Sequence, residues 1–128
     1  MSTIEITATR PRISVIRQEA ALPQWLTKQS LARFLHESMK PYEDKLSDIE
    51  KALAYVFDDK AAPGGFIVLA TNANELLGAT VIHYTPWAGY VPENLLLFIA
   101  VHPDHRGQGL GRALIEEALA NCDGDMKL

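Results

Sequence analysis

Cysteine is almost absent. Cys122 is the only one in 128 residues, which excludes an internal disulfide framework and any cysteine-rich metal site. Excess positive charge is absent too. Lys and Arg number 12 against 16 Asp and Glu, a formal net charge of −4, so no basic stripe of the kind that grips nucleic acid is expected. No apolar run approaches the length needed to span a bilayer. The opening Met1-Ser2-Thr3-Ile4-Glu5 has neither the basic region nor the apolar core of a secretory signal. Internal repeats, linkers and low-complexity tracts are missing as well. These absences, with 48% hydrophobic and 22% charged residues, lead to the expectation of a cytoplasmic globular domain with one core.

What is present is a regular succession of elements. Residues 1–12 read as a tail, although the alternation Ile4, Ile6 also suits a short extra strand. Ile13 to Arg17 alternates as a first strand. Leu22 to Met39 reads as a helix with Pro23 in its first turn and Trp25, Ala32, Leu35 and Met39 on one face. Leu26 and Phe34 blur that stripe, which leaves a bent or two-part helix open, and Pro41 helps to end it. Ser47 and Glu50 have the spacing of a capping box, followed by the stripe Ile49, Ala52, Leu53, Val56, Phe57 of a second helix. Pro63-Gly64-Gly65 breaks the chain. Phe66 to Thr71 and Leu76 to Tyr84 are strands joined by the turn-forming Asn72-Ala73-Asn74-Glu75. After a loop with Trp87, Gly89 and Tyr90, Asn94 to Val101 is apolar on both faces and is expected to be a central strand. Gly109 to Asn121 is a helix with the stripe Leu110, Leu114, Ile115, Ala118, Leu119, Cys122, stopped by Asp123-Gly124. Met126-Lys127-Leu128 reads as the start of a further strand. The order β-α-α-β-β-β-α-β is an α+β arrangement, a mixed sheet with helices on its faces.

The most informative stretch is Val101-His102-Pro103-Asp104-His105-Arg106-Gly107-Gln108-Gly109-Leu110-Gly111. It carries a buried strand through a glycine-rich turn into a helix. Such a turn aims several unpaired N–H groups in one direction, at the positive end of the helix dipole, and so suits a phosphate. A Walker-type loop needs Gly-Lys-Ser/Thr at its end, where this chain has Gly111-Arg112-Ala113. A dinucleotide fingerprint needs G-x-G-x-x-G and a later acidic residue, whereas here Gly107, Gly109 and Gly111 are spaced G-x-G-x-G.

Arg106-Gly107-Gln108-Gly109-Leu110-Gly111 does fit Q/R-x-x-G-x-G/A, the acetyl-CoA signature of the GNAT superfamily of N-acetyltransferases. Ile99-Ala100-Val101-His102-Pro103, Arg112-Ala113-Leu114-Ile115 and the order of elements from Ile13 onward resemble that family too. The resemblance implies a mixed, mainly antiparallel sheet flanked by helices, with residues 13–128 as an acyl-CoA-binding domain. It implies that the strand before the turn splays from its neighbour and pairs Ile99, Ala100 and Val101 with the pantetheine arm of acetyl-CoA. It implies that backbone N–H groups of Gly107, Gln108, Gly109, Leu110, Gly111 and Arg112 meet the pyrophosphate, with Arg106 and Arg112 adding positive charge. Gly107 and Gly109 would let the backbone approach closely, and Gly111 is expected to seat the helix on the sheet.

The chemistry implied is direct transfer of an acetyl group from a thioester to an amine. A lysine-like amine has a pKa of about 10.4 in water, so a base or a water chain must take its proton. Glu93 and His83 are the catalytic candidates. By parity Glu93 shares a face with Leu95, Leu97, Ile99 and Val101 unless a bulge intervenes; its alternative is a solvated loop acid. For His83 the alternative is a partly buried strand histidine with a satisfied ring. Tyr84, Trp87 and Tyr90 could line an acceptor pocket or simply pack. His102, Asp104 and His105 match no metal-ligand spacing, so no metal is expected. Cys122 reads as a small core residue. In this family the acceptor usually meets the connection between the first two helices, here Lys40-Pro41-Tyr42-Glu43-Asp44-Lys45, whose Glu43 and Asp44 could attract a cationic amine.

One departure stands out. The family normally continues with the rest of the fifth strand, a helix and a final strand pair, and here that C-terminal part is missing. A truncated chain, or a homodimer in which a second subunit covers the open sheet edge, would account for it. Two functions of different class follow: an N-acetyltransferase acting on a small-molecule or peptide amine, and a non-catalytic acyl-CoA-binding or protein-interaction module.

Overall fold

The computed structural model describes residues 11–57, 64–84, 94–122 and 126–127. Its sheet holds β1 (Arg12–Ile16), β2 (Gly65–Asn72), β3 (Glu75–Tyr84), β4 (Asn94–Val101) and β5 (Met126–Lys127), in that spatial order. The first four strands are antiparallel, and β5 runs parallel to β4. The helices are α1 (Lys28–Ser38), α2 (Leu46–Phe57) and α3 (Leu110–Ala120). The possible strand at Ile4 and Ile6 lies outside the described residues.

The sheet is coated on both faces, because β2 and β3 are apolar at nearly every position. On one face Ile67, Leu69, Ala79, Val81 and Phe98 pack against Leu31 and Leu35 of α1 and Ile49 and Leu53 of α2. On the other, Phe66, Val68, Ala70, Leu77 and Ile82 meet Leu110, Leu114 and Ala118 of α3. The short β2–β3 turn places Ala73 at φ 53, in the left-handed region.

Three expectations are corrected. The first helix begins at Lys28, six residues later than its apolar pattern suggests, because Thr27 caps it. Thr27 Oγ1 accepts from Ser30 N–H at 3.0 Å while Ser30 Oγ accepts from Thr27 N–H at 2.9 Å, a reciprocal pair that fixes the start. The preceding segment is a 3-10 turn at Glu19–Ala21 and a turn closed by Leu26 N–H on the Pro23 carbonyl at 2.9 Å. In the second helix Ser47 lies inside the first turn, because the Lys45 carbonyl takes the first helical bond, from Ile49 N–H at 3.1 Å. Ser47 therefore does not cap it.

The third correction concerns β4. The middle of the sheet is β3, and β4 is next to last. β5 pairs only with Asn94 and Leu95, so among the described residues the outer edge of β4 from Leu96 to Val101 has no strand partner. Most of β4 is accordingly half-buried, where β2 is buried along nearly its whole length.

A bulge shapes this strand. Val81 faces Phe98 and Ile82 faces Leu96, which leaves Leu97 as the extra residue. Leu97 packs on the α1–α2 face, whereas Leu96, Ile99 and Val101 pack on the α3 face. The parity expected to carry Leu97 and Ile99 to one face is thus broken between them.

Candidate functional site: the β4–α3 turn and the edge beside it

The site starts where β4 ends. His102 N–H donates to the Leu77 carbonyl of β3 at 2.7 Å. Pro103–His105 then forms a 3-10 turn, with Asp104 N–H on His102 Nδ1 at 3.1 Å and His105 N–H on the His102 carbonyl at 2.8 Å. His105 Nε2 lies 3.5 Å from Glu75 Oε2. These contacts explain His102, Asp104 and His105 as turn-builders. Among the described residues no group of three or more His, Cys, Asp or Glu could hold a metal ion.

Gly107 (φ +81) and Gly109 (φ +82) are both left-handed, a conformation that a Cβ penalises. A Cβ placed on either would meet nothing within 4 Å, so the space above them is open. Gly109 is the N-cap of α3, and its carbonyl accepts from Ala113 N–H at 3.0 Å. No side chain caps this helix end. Among the described residues, the N–H groups from Gly107 to Arg112 donate to no backbone carbonyl. A row of free donors at the positive end of an α-helix, over open space, can receive a phosphate group.

The glycine expected to seat the helix does not do so. A Cβ on Gly111 would find only Val101 Cγ2, at 3.9 Å, which is ordinary contact. The close approach is made by Gly78 of β3, where a Cβ would lie 3.1 Å from both the Ala100 carbonyl oxygen and Leu114 Cδ1.

The two arginines part company. Arg112 is exposed and pairs with Glu116 one turn on, Nε to Oε2 3.3 Å. Arg106 turns back into the protein: Nε donates to the Val101 carbonyl at 3.1 Å, and Nη2 donates to the Ser38 carbonyl at 2.6 Å. Beside this contact, α1 and the turn enclose a groove of about 460 Å³ whose walls include Arg33, Phe34, Glu37, His102 and Asp104. Ile99, Ala100 and Val101 lie on β4 beyond the two residues that pair with the described part of β5.

Of the catalytic candidates, Glu93 lies outside the described residues, as do Trp87 and Tyr90. His83 is half-buried on β3. Its Nε2 is 2.9 Å from the Ala52 carbonyl of α2, and its ring lies 4.4 Å from that of Tyr55. A carbonyl only accepts, so Nε2 carries the proton and Nδ1 keeps the lone pair. Burial lowers the His83 pKa below the ordinary 6.5, with the Ala52 hydrogen bond pulling less strongly the other way. Tyr84 is engaged elsewhere: its hydroxyl accepts from Arg17 Nη1 at 2.8 Å, and Arg17 also reaches Asn121 Oδ1 at 3.2 Å. Cys122 is half-buried beside Met126, with sulfur atoms 3.8 Å apart.

The connection from α1 to α2 hangs from the end of α1. Tyr42 N–H donates to the Met39 carbonyl at 2.9 Å, and His36 Nδ1 donates to the Asp44 carbonyl at 3.0 Å.

An antiparallel four-strand sheet with a fifth parallel strand, and a glycine-cradled helix start after the fourth, define an acetyltransferase-type α+β fold. The chain belongs to the acetyltransferase (GNAT) family, whose model matches residues 21–126. Solved structures agree. A protein assigned to the GNAT family from Desulfovibrio desulfuricans is similar at 27% identity and TM-score 0.65, over 86% of this chain and 65% of that one. The ribosomal-protein-S18-alanine N-acetyltransferase of Escherichia coli matches at 17% identity and TM-score 0.57, over 87% of this chain and 58% of its own. A ribosomal-protein-alanine N-acetyltransferase from Brucella melitensis matches at 21% identity and TM-score 0.56, over 88% and 70%. The last two show likeness of fold. The chain thus spans less than two thirds of the length of the first two relatives. No curated protein matches the sequence. No helix among the described residues is long and apolar enough to cross a membrane.

Proposed function

We propose that this chain, through residues 13–128, acts in the cytoplasm as an N-acetyltransferase that moves an acetyl group from acetyl-CoA to a primary amine by direct attack. The observation that carries this reading is the row of unpaired N–H groups at Gly107–Arg112, lifted over open space by two left-handed glycines. They are the donors a diphosphate needs. The outer edge of β4 supports it, since the backbone of Ile99, Ala100 and Val101 can pair with an amide-bearing pantetheine arm as with another strand. Bound acetyl-CoA supplies the activated thioester. The chain's own work is to hold it and to take a proton from the attacking amine. His83 suits the second task through Nδ1, because Ala52 fixes the tautomer and burial keeps the ring neutral. Glu93, at the entry to β4, is the other proposed base.

Calorimetric titration with acetyl-CoA, followed by thiol release across a panel of primary amines, tests the reading. Wild-type chain binds and releases thiol. Gly109→Trp fills the open space and abolishes binding while the circular dichroism of the fold persists. Unchanged affinity in that variant overturns the site. Binding with no thiol release from any amine reduces the chain to an acyl-CoA-binding module.

A further inference from the structure

Arg106 heads the phosphate-turn motif, yet its guanidinium faces two main-chain carbonyls. One belongs to Val101, the last residue of β4; the other belongs to Ser38, the last residue of α1. The Ser38 carbonyl is one of the four that a helix C-terminus leaves without an intrahelical donor, and a cation there also meets the negative end of the helix dipole. Ser38 itself is buried, so this carbonyl has little recourse to water. The planar fork of arginine can serve two acceptors at once, which a lysine ammonium on its flexible stem does far less well.

We propose that Arg106 is a positioning residue that clamps the end of α1 to the nucleotide turn, so that the 39–45 connection is held in register with the bound thioester. The inference rests on the acetyltransferase reading and deepens it. The connection follows directly from Ser38 and is folded back on α1 by the Tyr42–Met39 and His36–Asp44 bonds. Displacing Ser38 therefore displaces the segment that this reading places against the amine. The Phe34 and His102 rings, 6.4 Å apart, are a second but softer contact between the same two elements. Arg106 thus transmits position between the two substrates rather than neutralising phosphate, a task left to the main-chain N–H groups and to the free face of Arg112.

Hydrogen exchange on the ligand-free chain separates the clamp from the cofactor reading. In Arg106→Gln, amides of residues 36–42 are expected to exchange about tenfold faster than in wild type while those of β2 and β3 keep their rates. Acetyl-CoA affinity is expected to change by less than about threefold, since one phosphate contact is not being removed. In thiol-release kinetics with an amine that wild type acetylates, KM for the amine rises about tenfold while KM for acetyl-CoA holds. Arg106→Lys, which keeps the charge but not the fork, resembles the Gln variant. Unchanged exchange in residues 36–42 overturns the clamp, whatever happens to affinity. Rescue of wild-type exchange in residues 36–42 by lysine also overturns it, because charge alone would then suffice. If wild type fails to bind acetyl-CoA, the functional reading falls, while the exchange result still decides whether Arg106 holds α1.

Discussion

Thr80 Oγ1 donates to the Phe98 carbonyl at 2.8 Å, in the buried layer directly beside the Leu97 bulge. Thr80 is fully buried, so this bond satisfies a hydroxyl that has no access to water. It also pins β4 to β3 at the point where the ladder slips by one residue. Thr80→Val keeps the shape and removes the donor. The expected cost is about 1 kcal/mol, as for a typical buried hydrogen bond, with faster amide exchange at Phe98 and Ile99. A urea midpoint equal to wild type would show that the hydroxyl does not stabilise the bulge.

Two glycines of the turn should respond in opposite ways. Gly109→Ala forces a Cβ into a left-handed residue and should destabilise by about 1–2 kcal/mol. Gly111→Ala meets only Val101 Cγ2 at 3.9 Å and sits in the first turn of α3. It should be neutral or stabilise by up to about 1 kcal/mol through helix propensity. Thermal melts of the two variants, with acetyl-CoA titration of each, check this; equal losses would contradict it.

Gly78 is packed tightly between β4 and α3, and a side chain there needs its neighbours to give by a few tenths of an ångström. Gly78→Ala would press on the Ala100 carbonyl and on Leu114, a fully buried residue with nowhere to retreat. Overpacking of this kind should cost about 1–3 kcal/mol. The double variant Gly78→Ala with Leu114→Ala should be less damaging than the sum of the two singles. Additive losses would place the strain elsewhere.

His83 should impose a pH dependence on stability. Its folded-state pKa lies below 6.5, so between the folded and unfolded values the unfolded chain binds the extra proton. The stabilising contribution is complete above 6.5 and is lost as the pH falls through the folded value. His83→Gln should flatten the unfolding midpoint across that acidic window relative to wild type. An unchanged slope would assign the pH dependence to other groups. If His83 is also the base, thiol release by wild type should fall through the same window and be lost in the variant.

Sequence and structure agree best where the period is strong. β2, β3 and β4 stand within a residue of their expected spans, and α3 likewise, because long apolar runs bounded by turn residues admit few alternatives. The start of α1 was obscured by Leu22, Trp25 and Leu26, which continue the apolar pattern although the chain there is a turn. The Thr27/Ser30 pair was the legible signal, and it lies in the sequence. The Leu97 bulge left no trace, since β4 is apolar on both faces and a slipped register changes no hydrophobic pattern. The glycine-rich strand-to-helix turn was legible from Gly107, Gly109 and Gly111 between an apolar strand and an amphipathic helix, but the division of labour between Gly78 and Gly111, and the inward turn of Arg106, depend on partners far off in the chain. Ser38 is sixty-eight positions from Arg106, and no local rule links them.

The same central strands serve two layers at once. Neighbouring residues of β2 point alternately into opposite halves of the interior, Ile67 and Leu69 one way and Phe66 and Val68 the other. Neither coat of helices can therefore be peeled off to leave a smaller working protein. Stripping α3 would bare an oily sheet surface, and stripping the α1–α2 pair would bare its reverse, so engineering by fusion or trimming has to spare both.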